Sequence, residues 1–209
     1  SWILDGHDLY GNAEIMKNYK GRKVIANQYR NSFKRELIFT DENVYPTGFG
    51  IPEEAIIEID ITKKNKLFQK TAPMRSVFRK ETDLGGSRNH HIFDDEIEYY
   101  DDISSSWFGL TCKKGGWDSL RHYEILAAGT LLLFRDYQKK PPYCSPQKLP
   151  CYSYSSQKEL LRLMKTLVKD NKPTKKYMTM LEKQREWLLN FGTTKARARN
   201  ILQILSQQM

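Results

Sequence analysis

A glycine turn followed by polar side chains at helical spacing is the part of this sequence best suited to chemistry. Gly115 and Gly116 precede Ser119, Arg121 and Glu124. A glycine has no Cβ and lets a phosphate approach the backbone amides, while the positive end of a helix dipole attracts an anion. Arg121 adds positive charge, and Glu124 can accept hydrogen bonds from a ribose diol. The spacing therefore predicts a site for a nucleotide phosphate.

The elements around this turn read as a strand, a helix and a second strand. Residues 107–112 and 130–134 are short apolar runs, as expected for strands that are buried on both faces. Asp118 or Ser119 can cap the helix at its start, and Gly129 can end it in a left-handed conformation. In a parallel sheet, such a unit places the turn at the carboxyl edge, where ligands bind.

The helix between the two strands has one predicted buried stripe. At about 100° per residue, Leu120, Tyr123 and Ala127 share that stripe. Glu124 falls at its edge, where a carboxylate is half-buried. The same spacing also fits an ordinary surface pair between Arg121 and Glu124, worth about 0.2–0.5 kcal/mol. Both interpretations are open from spacing alone.

The stretch from Gly116 to Gly129 resembles the donor-binding signature of GT-B-type glycosyltransferases, including exostosin-like and related families. Those families carry the pattern S-x-R-x-x-E-x-x-x-x-G before an apolar strand. The resemblance implies that Glu124 holds the nucleotide ribose, and that Ser119 and Arg121 lie near the diphosphate.

Other parts of the first 137 residues look like the same relatives. They are Leu4–Asp8, Phe33–Leu37 and Tyr45–Pro52. One departure is Leu132, where relatives often have proline. This departure affects the loop after the strand but not the strand itself.

The resemblance and the element pattern together predict an α/β fold. The expected architecture is a Rossmann-like parallel sheet flanked by helices, GT-B-like, with an abbreviated N-terminal half and C-terminal helices. Residues 1–62 are predicted to form a small α/β half on the acceptor side. Residues 63–209 are predicted to form the donor-binding half, ending in C-terminal helices.

Individual elements are also predicted along the chain. Strands are expected at 2–5, 66–73 and 151–154. Helices are expected at 32–39, with Arg35 and Glu36 facing a cleft, at 96–106, at 155–169, and as two helices over 174–209 that break near Gly192.

Further residues are candidates for the two halves of a sugar-transfer site. Cationic side chains can stabilise a departing nucleoside diphosphate without a metal. The predicted donor-binding set is Lys70, Arg75, Arg79, Gly115, Gly116, Trp117, Asp118, Ser119, Arg121 and Glu124. The predicted catalytic set is Asp8, Asp5 and His7, which follow the first strand. A turn and helix cap formed by Asp5 and Asp8 is an equal alternative, as is a core position for Trp117.

Composition limits the remaining possibilities. The chain has 209 residues, of which 39% are hydrophobic and 12% aromatic, as expected of a folded domain. No apolar run approaches the roughly 20 residues of a membrane span, and no signal peptide is visible. The three cysteines, Cys112, Cys144 and Cys151, lack metal-type spacing, and free thiols in a reducing compartment are simpler than a Cys144–Cys151 bridge. A cytoplasmic location is therefore expected.

The net charge of +9 makes a polyanionic partner worth considering. The basic residues are spread along the chain in local clusters, and aromatics do not alternate with them as in a known RNA-binding motif. Nucleic acid is therefore disfavoured as a partner.

The sequence thus predicts a metal-independent glycosyltransferase for glycan biosynthesis, a hexosyl- or deoxyhexosyltransferase. Its donor would be a nucleotide-diphosphate sugar, UDP- or GDP-linked, used as co-substrate without another cofactor. Its acceptor would be a glycan or another hydroxyl compound. The alternative is a non-catalytic basic α/β module that binds nucleic acid or protein. A Rossmann methyltransferase fits less well, because residues 66–73 contain no glycine.

Overall fold

The computed structural model describes residues 2–5, 31–37, 44–73, 76 and 92–207. Within these ranges the protein is an α/β structure with one three-stranded and one four-stranded parallel sheet. The predicted α/β class with a parallel sheet and flanking helices is confirmed at this level. The two sheets lie on either side of the boundary predicted between residues 62 and 63, and the domain division stays a prediction.

The smaller sheet contains β1 (Trp2–Asp5), β2 (Asn31–Lys34) and β3 (Val44–Pro46), in that order and all parallel. The strand predicted at residues 2–5 is confirmed. The helix predicted at 32–39 is wrong, because its first residues form β2 between two other strands. Phe33 is fully buried there, so tertiary pairing outweighs the local capping signal of Ser32.

The larger sheet, here called the central sheet, has the order β4-β5-β6-β7. Its strands are β4 (Lys66–Phe68), β5 (Ser106–Cys112), β6 (Leu131–Arg135) and β7 (Tyr152–Tyr154). Successive side chains of a strand point to opposite faces. Leu131 and Leu133 accordingly join one buried cluster, while Leu132 and Phe134 join the other. The central sheet is therefore covered on both faces, as its apolar strands predict.

Five α-helices and a small hairpin accompany the sheets in the described part of the chain. The helices are α1 (Glu96–Ser104), α2 (Leu120–Ala127), α3 (Gln157–Leu167), α4 (Lys175–Trp187) and α5 (Thr194–Ser206). The antiparallel hairpin is β8 (Val168–Lys169) and β9 (Lys172–Pro173). A π-helical turn, Leu188–Gly192, separates α4 from α5, so the break predicted near Gly192 is confirmed.

Helix α2 is more deeply buried than its predicted stripe. Tyr123 and Ala127 are buried as expected, but Leu120 is 43% exposed. The buried residues also include His122, Ile125 and Leu126. Because α2 packs on the central sheet as well as on α1 and α4, it needs a wider apolar surface than one stripe. Gly129 follows the helix with a φ of 66°, the left-handed conformation that its position predicts.

Two buried glutamines extend the hydrogen bonding of the central sheet. Gln69 follows β4, and its side-chain amide exchanges two 3.0 Å hydrogen bonds with the backbone of Leu110. Gln184 of α4 does the same with the backbone of Leu132, again at 3.0 Å. Each carboxamide thus takes the place of a neighbouring strand where no strand residue is available.

The last helix returns to the segment that follows the smaller sheet. Ile51 donates a backbone hydrogen bond to Gly192 and accepts one from Thr194, both at 3.0 Å. Lys195 forms an exposed ion pair with Glu53 at 2.8 Å. The start of α5 is thereby joined to the loop after β3.

Two predictions from composition, on membrane-spanning segments and on disulfides, can be compared with the structure. Among the described helices, none has the length and apolar character to cross a membrane. None of Cys112, Cys144 and Cys151 takes part in a disulfide, so the predicted free thiols are confirmed and the alternative Cys144–Cys151 bridge is not formed.

Replacing Gln184 with leucine is predicted to destabilise the protein by about 2–6 kcal/mol. The change leaves the N–H and C=O of Leu132 buried without a partner, at about 1–3 kcal/mol for each unsatisfied group. Urea unfolding followed by circular dichroism measures the loss. The matched control is Gln203→Leu, an exposed position of α5, with an expected change below about 0.5 kcal/mol. Equal losses in both variants would show that Gln184 does not complete the sheet.

Candidate functional site

The turn between β5 and α2 lies at the carboxyl edge of the central sheet. Its backbone is tight, with the amide of Lys114 donating to the carbonyl of Gly116 at 3.1 Å. Gly115 is exposed, whereas Gly116, Trp117 and Asp118 are buried. Only the first glycine of the predicted pair is therefore open to solvent.

The buried glycine is required by a protein side chain. Glu36, which follows β2, is fully buried and accepts a hydrogen bond from the amide of Asp118 at 2.8 Å. A Cβ on Gly116 would overlap the Glu36 carboxylate. The space expected for a ligand phosphate beside Gly116 is thus occupied by Glu36, which corrects the role predicted for this glycine.

The side chain of Asp118 also contacts the smaller sheet. Its Oδ2 accepts from the amide of Phe49, which follows β3, at 2.8 Å, and its Oδ1 accepts from the Tyr123 hydroxyl at 2.8 Å. Burial raises the pKa of Asp118, and these hydrogen bonds act in the opposite direction. Asp118 therefore does not cap α2, as the sequence suggested it might do; it joins the two sheets.

Arg197 of α5 completes this connection. It donates to the carbonyl of Phe49 at 3.0 Å and to the Tyr123 hydroxyl at 3.1 Å. Together, Glu36, Phe49, Asp118, Tyr123 and Arg197 form what we call the clamp. The clamp fixes the turn before α2 against the carboxyl edges of β2 and β3.

His122 holds the same turn from inside α2. Its Nε2 lies 2.9 Å from the carbonyl of Trp117, and its Nδ1 lies 2.9 Å from the hydroxyl of Thr111. A carbonyl has only lone pairs, so Nε2 carries the proton and Nδ1 accepts from Thr111. Burial lowers the pKa of His122 to about 4. The imidazole is therefore neutral and structural near pH 7.

Trp117 belongs to the core rather than to an open surface. It is 6% exposed, and its ring centroid lies 6.2 Å from that of Phe134. The alternative interpretation of Trp117 as a core residue is therefore confirmed. The turn is fixed by this packing against Phe134 of the central sheet as well as by its contacts with the smaller sheet.

Three cations lie at the part of the sheet edge beside the turn. The Arg121 guanidinium donates to the carbonyl of Thr71, after β4, at 2.5 Å. Lys114 is half-buried, and burial followed by the positive charge of Arg121 lowers its pKa. Lys70 is exposed in the same loop as Thr71, with its Nζ 5.8 Å from the ring centroid of Phe93. Positive charge therefore gathers at this part of the sheet edge.

Glu124 lies on the same side, half-buried as the sequence predicts. Its Oε2 accepts a 2.5 Å hydrogen bond from the hydroxyl of Tyr99 in α1. Burial, and next the charge of Glu124, raise the pKa of Tyr99 well above its usual value. The carboxylate has a second oxygen that can accept from a ligand.

The start of α2 differs from the other described helix starts. Ser119 occupies the N-cap position but makes no side-chain capping hydrogen bond. The other four α-helices are capped by their N-cap side chains, namely Asp95, Ser156, Thr174 and Thr193. The Ser119 hydroxyl thus caps none of the first-turn amides of α2. Among these amides, that of His122 donates to the backbone carbonyl of Ser119 at 3.0 Å.

Several predicted residues lie elsewhere. His7, Asp8, Arg75 and Arg79 lie outside the described residues. Asp5 is the last residue of β1, and its backbone is paired beside Lys34. Across the described ranges, no group of three or more His, Cys, Asp or Glu residues is placed to hold a metal ion.

Sequence reasoning missed three members of the clamp. Phe49 contributes through its backbone, which residue types do not reveal. Tyr123 was predicted only as a core residue. Arg197 lies in a basic run that is typical of a solvated surface, and only the position of α5 brings it to Tyr123.

No protein-family model matches the chain, and no curated protein is significantly similar to it. Its function therefore has to be inferred from the residues at the sheet edge.

Gly116→Ala is predicted to destabilise the wild-type protein by about 1–3 kcal/mol, because the new methyl group overlaps Glu36. In a Glu36→Ala background the same substitution should cost much less, since the overlapping carboxylate is gone. Urea unfolding of the four proteins in this double-mutant cycle measures the coupling, expected at about 0.5–3 kcal/mol. Simple additivity would show that Glu36 does not dictate the glycine.

The low pKa of His122 predicts an acid-sensitive fold. The unfolded imidazole titrates near 6.5 and the folded one near 4, so the unfolded state binds more protons between these values. Stability should therefore fall by about 3 kcal/mol as pH drops from about 6.5 to about 4.

The measurement is unfolding free energy against pH for the wild type and for His122→Gln, which lacks the titrating ring. The wild type should lose more stability than the variant over this range. Parallel curves would contradict the assignment, as would a folded His122 resonance in NMR that titrates near 6.5.

Proposed function

We propose that this protein is a glycosyltransferase that moves a sugar from a nucleotide-diphosphate sugar to an acceptor hydroxyl, in a GT-B-like arrangement. The observation that carries the proposal is the helix start at the sheet edge, which has no side-chain cap. Arg121 and Lys114 lie beside it as cations, and Glu124 lies half-buried one turn along the helix.

The diphosphate is assigned to the first turn of α2. In the transfer, the acceptor oxygen bonds to the anomeric carbon while the bond from that carbon to the diphosphate oxygen breaks. Negative charge then grows on the departing nucleoside diphosphate. Backbone amides at the helix start, Ser119 and the Arg121 guanidinium can stabilise this charge without a metal.

The ribose is assigned to Glu124. A carboxylate accepts hydrogen bonds from both hydroxyls of a diol, and Glu124 has one oxygen held by Tyr99 and another available. Tyr99 would then orient the carboxylate without contacting the sugar. Lys70 and the exposed Gly115 lie in the loops on either side and complete the donor side.

The acceptor side is assigned to the smaller sheet. Because β1 and β2 are parallel, Asp5 ends at the same sheet edge as Glu36, and the clamp sets that edge against the turn before α2. Asp5, His7 or Asp8 would accept the proton of the acceptor hydroxyl if the reaction inverts configuration. The proposal therefore requires a cleft between the two parallel sheets beside the clamp, as in a GT-B-like enzyme.

A donor screen by thermal shift tests the proposal with UDP-, GDP-, ADP- and dTDP-linked sugars. At a ligand concentration of 100 Kd, binding stabilises the native state by about 2.7 kcal/mol. For a chain of this length the expected rise in Tm is roughly 5–10 °C. Glu124→Ala should abolish that rise, because it removes the ribose acceptor.

Tyr99→Phe is the matched control, since it breaks the same hydrogen bond but keeps the carboxylate. It should lose about 1 kcal/mol of stability and retain most of the donor-induced rise in Tm. Equal donor responses in the two variants would remove Glu124 from the site. A wild-type protein that responds to none of the four sugar nucleotides would contradict the transferase proposal.

A further inference from the structure

A concentrated basic surface lies on the side of the protein formed by α3, the β8–β9 hairpin and the start of α4. Between residues 158 and 176 the chain has seven basic residues and two acidic ones. All seven basic side chains are exposed. We call this set the basic face: Lys158, Arg162, Lys165, Lys169, Lys172, Lys175 and Lys176.

Helix α3 separates its charges cleanly from its core contacts. At about 100° per residue, Lys158, Arg162 and Lys165 fall within about 60° of one another. The buried residues of the helix, Leu160, Met164 and Leu167, lie on the opposite side. The cations therefore form one row along the outer surface of the helix.

This row is unfavourable for the helix itself. Lys158 lies in the first turn, where the helix dipole disfavours positive charge. Lys158 and Arg162 are four residues apart, and Arg162 and Lys165 three apart, so like charges face each other on the helix surface. Local stability does not explain why these residues are all basic.

The same conflict recurs in the next two elements. Lys169 and Lys172 are paired directly across the β8–β9 hairpin, and like charges in opposed positions destabilise a strand pair. Lys175 and Lys176 begin α4, whose first turn has no acidic residue. Helix α3, the β8–β9 hairpin and the start of α4 are thus each destabilised by unfavourably placed positive charges.

Acidic partners do not offset these charges. Within the described ranges, none of the seven cations forms an ion pair. Glu159 uses its Oε2 to accept from the amides of Ser155 and Ser156 in the capping box of α3. The basic face therefore has an excess of positive charge that an external anion would relieve.

We propose that the basic face binds the surface of an anionic phospholipid bilayer. Six of its seven cations are lysines, which act as point charges and do not form the bidentate contacts of arginine. The segment 157–176 contains no aromatic residue for base stacking. Three of its cations form a row on the outer surface of α3, and the other four continue onto the hairpin and the start of α4. These features favour a layer of phosphate headgroups over a nucleic acid.

Vesicle sedimentation tests the proposal with the whole chain. Vesicles of phosphatidylcholine alone are compared with vesicles that also contain phosphatidylserine, at low and high salt. Binding should require the anionic lipid and weaken as salt shortens the screening length. Each basic residue near such a surface contributes roughly fivefold in partitioning, so the triple variant K158Q/R162Q/K165Q should bind on the order of 100-fold more weakly.

The matched control is K63Q/K148Q/R199Q, which removes the same charge from exposed positions outside the basic face and should bind nearly as well as the wild type. Equal losses in the two triple variants would attribute binding to net charge and overturn the proposal. So would equal binding to both kinds of vesicle. Displacement of the wild type by a DNA duplex at lower phosphate concentration than lipid would also overturn it, in favour of nucleic acid.

Discussion

The buried carboxylate of Asp118 is the interaction on which the arrangement of the two sheets depends. It accepts from the amide that follows β3 and from Tyr123 within α2, while its own amide donates to Glu36 after β2. Asp118 therefore connects the carboxyl ends of β2 and β3 to the turn that precedes α2. Arg197 adds positive charge beside this group, which makes burial of the carboxylate less costly.

The clamp has a direct consequence for ligand binding at the sheet edge. The carboxyl groups of Glu36 and Asp118 are buried and occupy the inner side of the turn before α2. A ligand phosphate is left with the outer side, where the helix start, Arg121 and Lys114 lie. The same carboxylates that hold the turn in place therefore limit where an external anion can bind.

The charges of this protein are divided between its interior and its outer surface. Buried polar groups generally need hydrogen-bond partners, and both carboxylate oxygens of Asp118 have one. Glu36 accepts through Oε1, whereas its Oε2 is buried without a hydrogen-bond partner in the described part of the chain. Gln69 and Gln184 follow the same rule, since each satisfies strand backbone that lacks a neighbouring strand. The excess positive charge lies outside, on α3 and its neighbours, where like charges face one another on an exposed surface. A partner that binds through charge alone would bind to this outer surface. The sheet edge instead presents hydrogen-bond donors and acceptors in fixed positions.

Local patterns in the sequence determined most of the central sheet and its helices. The apolar runs of β5 and β6, the left-handed Gly129 and the break at Gly192 all follow from residue type and spacing. The half-buried position of Glu124 also follows from helical periodicity. Strand β2 could not be predicted from local patterns. Its pairing with β1 and β3 involves residues that are distant in the chain, and this pairing outweighs a local helix signal.

Tertiary structure alone decided how the candidate site is built. Glu36, Phe49 and Arg197 are separated by up to about 160 residues in sequence, and no local pattern indicates that they meet at Asp118. Gly116 illustrates the difference: its type predicts that something approaches the backbone closely, and only packing shows that the approaching group is Glu36. The sequence thus determined most of the elements, with β2 as the exception, because short-range sterics and periodicity act locally. Long-range contacts between these elements determined which groups fill the space between them.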